Sequence, residues 1–534
     1  MTYGLNLPEY PWEALAPYRA TAAAHPDGPV DLSIGTPVDP TPELIRNALA
    51  EASDAPGYPT THGTSALREA IAEWFERRRG VKGLDPQAIM PTIGSKELVA
   101  WLPFLLGLGP GDVVVYPRIA YPTYDMGARF ARAESVPADS LDELDADTRS
   151  RVKLIWVNSP ANPNGTVRTV EQLREIVAQA REIGAVVASD ECYAELGWGA
   201  WDEARGGESV PSILDPRVCD GDFTGLLAVY SLSKQSNLAG YRAAFVAGAP
   251  ELMPNIINSR KHAGMIVPAP VQAAMIAVLG DEAHVAAQKD RYRARREVLE
   301  DAITAAGGRI EGSEAGLYLW TTFGESTWDS IGRLAELGII AGPGVFYGED
   351  GEGYVRIALT ASDEAVAKAV GDLRLRSLDI LVHSAGVESS APIASLTPAQ
   401  WREVLDLDLV AVAHLTSLVL PALRATRGLV VMINSSAGLR TWAGHTLYSA
   451  AKAGLKALAD GLREEERGVV RVTSIFPGSV DTPMQHRVQA ARGGEYRAED
   501  HMAPSSVAAA VRLAADTPLD AVVENLSIRP AEIL

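Results

Sequence analysis

Short apolar strands alternate with helix-length segments along this chain, and that alternation limits its fold more than any other feature. The strands read as "DVVVYP" (112–117), "VKLIWVNSP" (152–160), "GAVVASDE" (184–191), "LLAVYSLSK" (226–234) and "RAAFVAG" (242–248). Strands separated by helices predict a mainly parallel sheet with helices on both faces. An Arg-rich helical stretch follows at 288–307, then a smaller α+β portion with strands in "EAGLYLWTTF" and "GYVRIALT". Residues 1–40 read as irregular and Pro-rich. Near residue 375 the series restarts with "LDILVHSAG" (378–386), "GLVVMINSS" (428–436), "VVRVTSIFPG" (469–478) and "AVVENLSIRP" (521–530). The predicted division is 41–254 for a large domain, 1–40 with 255–375 for a small one, and 376–534 for a third unit.

Composition narrows the function. The 534 residues are 47% hydrophobic and 22% charged, an ordinary globular balance. No apolar run reaches the ~20 residues a bilayer span needs. The N-terminal stretch lacks the basic-then-apolar pattern of a secretory signal. Cys192 and Cys219 have no metal-ligand spacing, which fits a reducing cytoplasm and predicts no metal site. A net charge of −20 without a Lys/Arg cluster argues against nucleic acid as a partner.

The chemistry concentrates at strand ends. In "SLSKQSNLAGYR" (231–242), Lys234 follows a buried strand, with Ser231 and Ser233 before it and Arg242 eight residues on. A lysine on a rigid element can bind a carbonyl cofactor, and hydroxyls with a guanidinium can hold that cofactor's phosphate. "SDECY" (189–193) ends another strand with Asp190, which can pair with a protonated pyridine nitrogen. "TIGSKELVAWL" (92–102) is a turn entering a helix, suited to gripping phosphate through backbone N–H groups. "NSPANPNG" (158–165), "YPTTHGTSALREA" (58–70) and "GYVRIALT" (353–360) complete the set.

These motifs, in this order, make residues 1–375 resemble a fold type I, class I/II aminotransferase that uses pyridoxal 5'-phosphate. The stretches "DLSIGTPVDPTP", "GSKELVAWLPFLLGLG" and "RKHAGMIVPAPVQAAM" are similar to actinobacterial N-succinyldiaminopimelate aminotransferases of lysine biosynthesis. The resemblance implies that Lys234 binds the cofactor covalently and moves the substrate proton, and that Asp190 pairs with the ring nitrogen. Tyr193 and Asn162 would meet the ring's phenolic oxygen, and Tyr121 would stack on its face. Ser95, Lys96, Ser231, Ser233 and Arg242 would surround the phosphate. Tyr58 would reach the neighbouring subunit's cofactor, so a homodimer is implied. Arg356 would clamp the substrate α-carboxylate, with Gly35 admitting the substrate to the backbone. Arg118 is a candidate for the substrate's far end. The reaction implied is amino transfer from N-succinyldiaminopimelate to 2-oxoglutarate, with another aspartate-like or aromatic aminotransferase as the alternative.

From 378 the residues resemble a short-chain dehydrogenase/reductase. Tyr448 and Lys452 form Tyr-x-x-x-Lys, Ser435 lies thirteen residues earlier, and "FPGSVDTPM" (476–484) matches the family's cofactor-covering segment. Residues four apart share a helix face, so the ammonium is expected to lower the phenol's pKa for proton transfer. Three departures stand against this. The Gly-rich turn that grips NAD(P) pyrophosphate is missing, and the segment starts at what would be the fourth strand. Asp408 stands where the relay Asn is expected, and His383 replaces an Asn. Loss of the first three strands of this partial Rossmann-like segment predicts an uncovered apolar edge. Three readings stay open: a truncated remnant, a dimerisation module, or an active reductase that makes the chain bifunctional.

Overall fold

The computed structural model describes residues 7–8, 11–374, 378–491 and 496–531. The chain divides into two compact units, Met1–Arg374 and Leu375–Leu534. The expected junction at 375–376 lies outside the described residues.

The first unit is built on a seven-stranded sheet. Its strands are β1 (Ile89–Ile93), β2 (Val113–Tyr116), β3 (Glu134–Pro137), β4 (Val152–Asn158), β5 (Val186–Asp190), β6 (Leu226–Ser231) and β7 (Ala243–Gly248). They lie in the order β1-β7-β6-β5-β4-β2-β3. All neighbours are parallel except β7, which runs antiparallel to both β6 and β1. Successive side chains enter opposite cores. Ile155 and Val187 join one cluster, and Trp156 and Ala188 the other. Burial on both faces explains why these strands read as unbroken apolar runs. The polar residues ending β4, β5 and β6 (Asn158, Asp190 and Ser231) therefore gather at the carboxyl edge, where open α/β sheets bind ligands.

A second, antiparallel sheet supports the smaller portion. It comprises β8 (Arg309–Glu311), β9 (Tyr318–Thr322), β10 (Gly342–Pro343) and β11 (Tyr354–Ala358), ordered β10-β11-β9-β8. Trp320 on β9 stands opposite Arg356 on β11.

Several sequence expectations need correction. Residues 1–40 are not wholly irregular, because an Ala-rich helix forms over Ala16–Ala23, with Pro in its first turn. The Arg-rich helix begins earlier than 288, spanning Ala283–Ala305. Helix Ala269–Leu279 inserts Val271, Ala274, Met275 and Val278 into the large sheet's core, so it packs with the large domain although it lies beyond residue 254. Strand β1 had no reading as a strand because Pro91 interrupts it. Pro is tolerated there because β1 is an edge strand.

In the second unit, β12 (Ile380–His383), β13 (Leu429–Ile433), β14 (Arg471–Pro477) and β15 (Asn525–Ile528) pair in parallel and in chain order. Helices from Pro398–Thr426 and Thr446–Glu465 bury Val412, Val419, Leu423, Leu455 and Ala459 in a core with Val430 and Val472. Helix Pro504–Asp516 packs Ala510 and Ala514 in a core with Leu429, Val431 and Ile475. Strand β12 is the expected uncovered edge, with Ile380 39% and Val382 42% exposed. Among the described residues, helix Pro398–Thr426 is long and apolar enough to cross a membrane by length and composition. Asp406 and Asp408 interrupt its apolar sequence, and a short π-helical turn spans Asp406–Val410.

Candidate active site

Asp190 ends β5 and is buried. Its carboxylate accepts hydrogen bonds from the Tyr124 hydroxyl at 3.0 Å and the Cys192 amide at 3.3 Å. Burial raises its pKa above the usual carboxylate value, against those bonds and the nearby charge of Lys234. Tyr124 is held in turn by stacking on Trp156 at 4.9 Å. Asn158, ending β4, ties two strand ends together. Its Nδ2 donates to the carbonyl oxygens of Pro160 and Asp190, and its Oδ1 accepts from the Asn162 amide at 2.8 Å. The loop carrying Asn162 is thus fixed against the strand carrying Asp190.

Lys234 lies in the turn after β6, and its Nζ donates to the Gly35 carbonyl at 2.6 Å. Ser231 Oγ donates to Ser233 Oγ at 2.9 Å. Gly94, at φ 76°, caps helix Ser95–Leu105, and its amide donates to the Arg242 carbonyl at 2.8 Å. A Cβ at residue 94 would come within 2.2 Å of the Arg242 guanidinium. The positive φ favours glycine here, and any side chain would displace the Arg242 guanidinium from its present place. Lys96 stands 5.9 Å over the Tyr121 ring.

Arg356 on β11 is buried. It donates to Asn162 Oδ1 at 2.8 Å and to the Ser33 carbonyl at 2.6 Å. Its guanidinium lies 3.9 Å from the Tyr318 ring centroid and 4.9 Å from that of Tyr347. The Tyr193 hydroxyl meets the Tyr318 hydroxyl at 3.2 Å, and burial pushes the Tyr193 phenol up. Burial also opposes ionisation of Tyr318, but Arg356 and Lys234 outweigh it and hold that phenol down.

These contacts link Lys234 with Gly35, Tyr193 with Tyr318, and Arg356 with Asn162. Asp190 lies close enough to Lys234 to feel its charge. Tyr58, wholly exposed at 101%, touches none of this network. Arg118 is partly exposed and pairs through Nε and one terminal nitrogen with Glu143, an ion pair that a substrate carboxylate would have to displace. Sequence reasoning missed Tyr318, Tyr124, Asn158 and Cys192. Tyr318 reads as one more apolar strand residue in "GLYLW", and the others as core or turn residues.

The class I and II aminotransferase family model matches residues 27–373. The chain belongs to this family. It is 56% identical over 368 residues to the 4-dedimethylamino-4-oxo-anhydrotetracycline transaminase OxyQ of Streptomyces rimosus, covering 69% of this chain and 99% of that protein. It is 54% identical to the probable aminotransferase Rv1178 of Mycobacterium tuberculosis, covering 69% and 85% respectively. Among solved structures, the probable N-succinyldiaminopimelate aminotransferase of Thermus thermophilus matches with a TM-score of 0.60 and 29% identity, over 68% of this chain and 99% of that one.

As a fold type I aminotransferase, the chain uses pyridoxal phosphate, and the residues present fit that group. Among the described residues the donors bonded to the buried Asp190 are neutral and Lys234 acts on it only through its charge, so a protonated pyridine nitrogen would supply the directly bonded cation. The close-packed Gly94, the Ser231 and Ser233 hydroxyls, Arg242 and the start of helix Ser95–Leu105 make a donor set suited to a phosphate.

Beyond the aminotransferase, residues 354–493 match the short chain dehydrogenase family model. Residues 354–374 of that match form β11 and the following helix of the first unit. In the second unit, Ser435 and Tyr448 are near enough for the serine to hydrogen-bond the phenol. The expected lowering of the phenol is contradicted. Burial pushes Tyr448 up to about 12, and Asp408 and Glu388 add to the rise. Lys452 is itself buried and ion-paired with Asp408 at 3.0 Å, standing 5.6 Å from the Tyr448 ring. Asp408 also accepts the Val387 amide at 2.7 Å. The charge that would activate the phenol is neutralised beside it.

Proposed function

We propose that this aminotransferase moves an amino group between an α-amino acid and a 2-oxo acid, with N-succinyldiaminopimelate and 2-oxoglutarate as the substrate pair. The observation that carries the reading is the buried Arg356, whose Nε has no hydrogen-bond partner among the described residues and whose guanidinium, turned from Asn162 and Ser33, would present paired N–H groups to one α-carboxylate. Pyridoxal phosphate, when bound, supplies the electron-withdrawing ring that makes the substrate Cα proton removable. Asp190 would hold its ring nitrogen, Tyr193 and Asn162 its phenolic oxygen, and Tyr121 its face. Ser95, Lys96, Ser231, Ser233 and Arg242 would hold its phosphate. Lys234 would take the Cα proton at Nζ once the amine leaves the Gly35 carbonyl.

The second reading is a bulkier, less acidic acceptor. It is favoured by the engagement of Arg118 with Glu143, by exposed Ile34 and Val38 flanking Gly35, and by the cyclic substrate named for the Streptomyces relative. Coupled assays with N-succinyldiaminopimelate, aspartate, an aromatic amino acid and a cyclic ketone separate the two. Turnover of N-succinyldiaminopimelate below that of the others overturns the first. The assembly in this reading is a cytoplasmic homodimer, with Tyr58 of each subunit serving the other's cofactor. The second unit is a reductase-like remnant without its own oxidoreduction. Saturable NADH or NADPH binding, lost in Tyr448→Phe/Lys452→Ala, would overturn that part.

A further inference from the structure

Three contacts converge on the side chain of Tyr318. Its hydroxyl meets the Tyr193 hydroxyl at 3.2 Å. It presses on Gly35, where a Cβ would lie only 1.9 Å from the Tyr318 oxygen, and the carbonyl of that same residue holds Lys234 Nζ. Its ring carries the Arg356 guanidinium at 3.9 Å. A phenylalanine would fill nearly the same space and stack equally well on Arg356. The hydroxyl therefore adds chiefly its bond to Tyr193, and burying a hydroxyl is costly unless it is bonded. Among the described residues, Tyr318 also supplies the hydrogen bond that the Tyr193 hydroxyl makes. Without it, the Tyr193 hydroxyl would be buried with no hydrogen-bond partner among the described residues, its ring still held by the core.

We propose that Tyr318 is a positioning residue for transamination, acting through its hydroxyl to aim the Tyr193 phenol at the cofactor's phenolic oxygen while its ring seats Arg356 for the substrate carboxylate. This rests on the aminotransferase reading of Lys234, Tyr193 and Arg356. One side chain would then join the cofactor-facing phenol to the substrate-facing guanidinium. The two functions sit on different parts of it, the oxygen and the ring, so Tyr318→Phe separates them. Either hydroxyl can donate in the 3.2 Å contact; with Tyr193 turned to donate to the cofactor, Tyr318 becomes the donor behind it, and chains of hydrogen bonds strengthen one another.

The test is a pH titration of the visible band of the full-length protein loaded with pyridoxal phosphate, comparing wild type with Tyr318→Phe. Cutting the donor chain removes stabilisation from the more negative form, so the band's midpoint should move up by about half a pH unit. Turnover should fall about three- to tenfold, with KM for the amino acid changed less than about twofold because the ring still seats Arg356. In a Tyr193→Phe background the same change should shift the midpoint by less than about a fifth of that. An unmoved midpoint in the single variant, or a full additional shift in the double variant, overturns the proposal. A raised KM with unchanged turnover overturns it too, since that would place the effect on Arg356 alone. If Tyr318→Phe does not fold, 3-fluorotyrosine at 318, a stronger acid, should move the midpoint down, and no movement overturns the proposal. A wild type with no visible band after cofactor addition would defeat the underlying aminotransferase reading instead.

Discussion

Lys234 and Lys452 each stand in a parallel α/β sheet unit, and they differ in what holds the amine. Lys234 rests on a neutral acceptor, the Gly35 carbonyl, in a turn at the carboxyl edge of the large sheet. Lys452 lies buried within a helix against the equally buried Asp408. A hydrogen bond made by a charged group contributes about 1.5–3 kcal/mol net, whereas breaking a buried ion pair costs about 3–5 kcal/mol. The first amine can leave its partner to do chemistry. The second is part of what keeps its helix in place. A reactive lysine is thus recognised by how easily it can be released, as much as by the motif around it.

The sharpest break of this comparison is to remove each amine. Lys234→Ala should abolish the visible cofactor band and lower transaminase turnover by at least about 10²–10⁴-fold, the range expected for loss of a proton-transfer group. Lys452→Met should leave the band and turnover unchanged. It should instead destabilise the second unit by about 3 kcal/mol, read by hydrogen exchange at Val387 and along Thr446–Glu465, because it strands Asp408 as a buried unpaired carboxylate. If Lys452→Met alters turnover with stability intact, the contrast between the two lysines fails.

Smaller effects sharpen the picture on the aminotransferase side. Arg356→Gln removes the charge proposed to hold the substrate carboxylate and should raise KM for the amino acid by about 10- to 100-fold, in line with about 1.5–3 kcal/mol for a charge-assisted hydrogen bond. Steady-state kinetics on both half-reactions checks this. Asp190 gives a change of sign. Its folded pKa lies above the unfolded value of about 3.9, so the folded cofactor-free protein binds more protons than the unfolded chain once pH exceeds that value. Stability is then lost as pH rises towards the folded pKa, and the loss is complete above it. Asp190→Asn should therefore raise the melting temperature of the cofactor-free protein at about pH 7, the pH at which an unperturbed carboxylate is ionised. It should lower that of the cofactor-loaded protein, because the ring nitrogen loses its partner. Paired melting curves read both signs.

Much of this molecule was legible in the sequence because burial leaves a continuous trace. Strands β4, β6 and β7 are apolar almost throughout since both faces of the sheet are covered. The residues at their ends stand out as polar against that background. Asp190, ending β5, and Lys234, just after β6, were found this way, whereas Arg356, in the middle of β11, came from the resemblance alone. What stayed hidden has a different physical origin. Tyr318 works by a hydroxyl on an otherwise apolar strand face, and no periodicity marks one oxygen. Strand β1 hid behind Pro91, which only the edge position permits. Helix Ala269–Leu279 reads as an isolated apolar segment, and only tertiary packing assigns it to the large sheet. The Tyr448–Lys452 spacing was correct as a helix face, but the effect of Asp408, distant along the chain, depended on the fold.

The open edge of β12 also has a consequence in time. Synthesis runs from the N-terminus, so β12 emerges before the strand that pairs with it. About 45 residues separate His383 from Leu429, which at typical elongation rates is roughly two to nine seconds of translation. During that interval Ile380 and Val382 have no β13 beside them, and afterwards, among the described residues, the outer edge of β12 still has no strand from its own unit. Crowding of ribosomes on one message would bring such edges together while they are newest, so strong expression should favour aggregates seeded at β12.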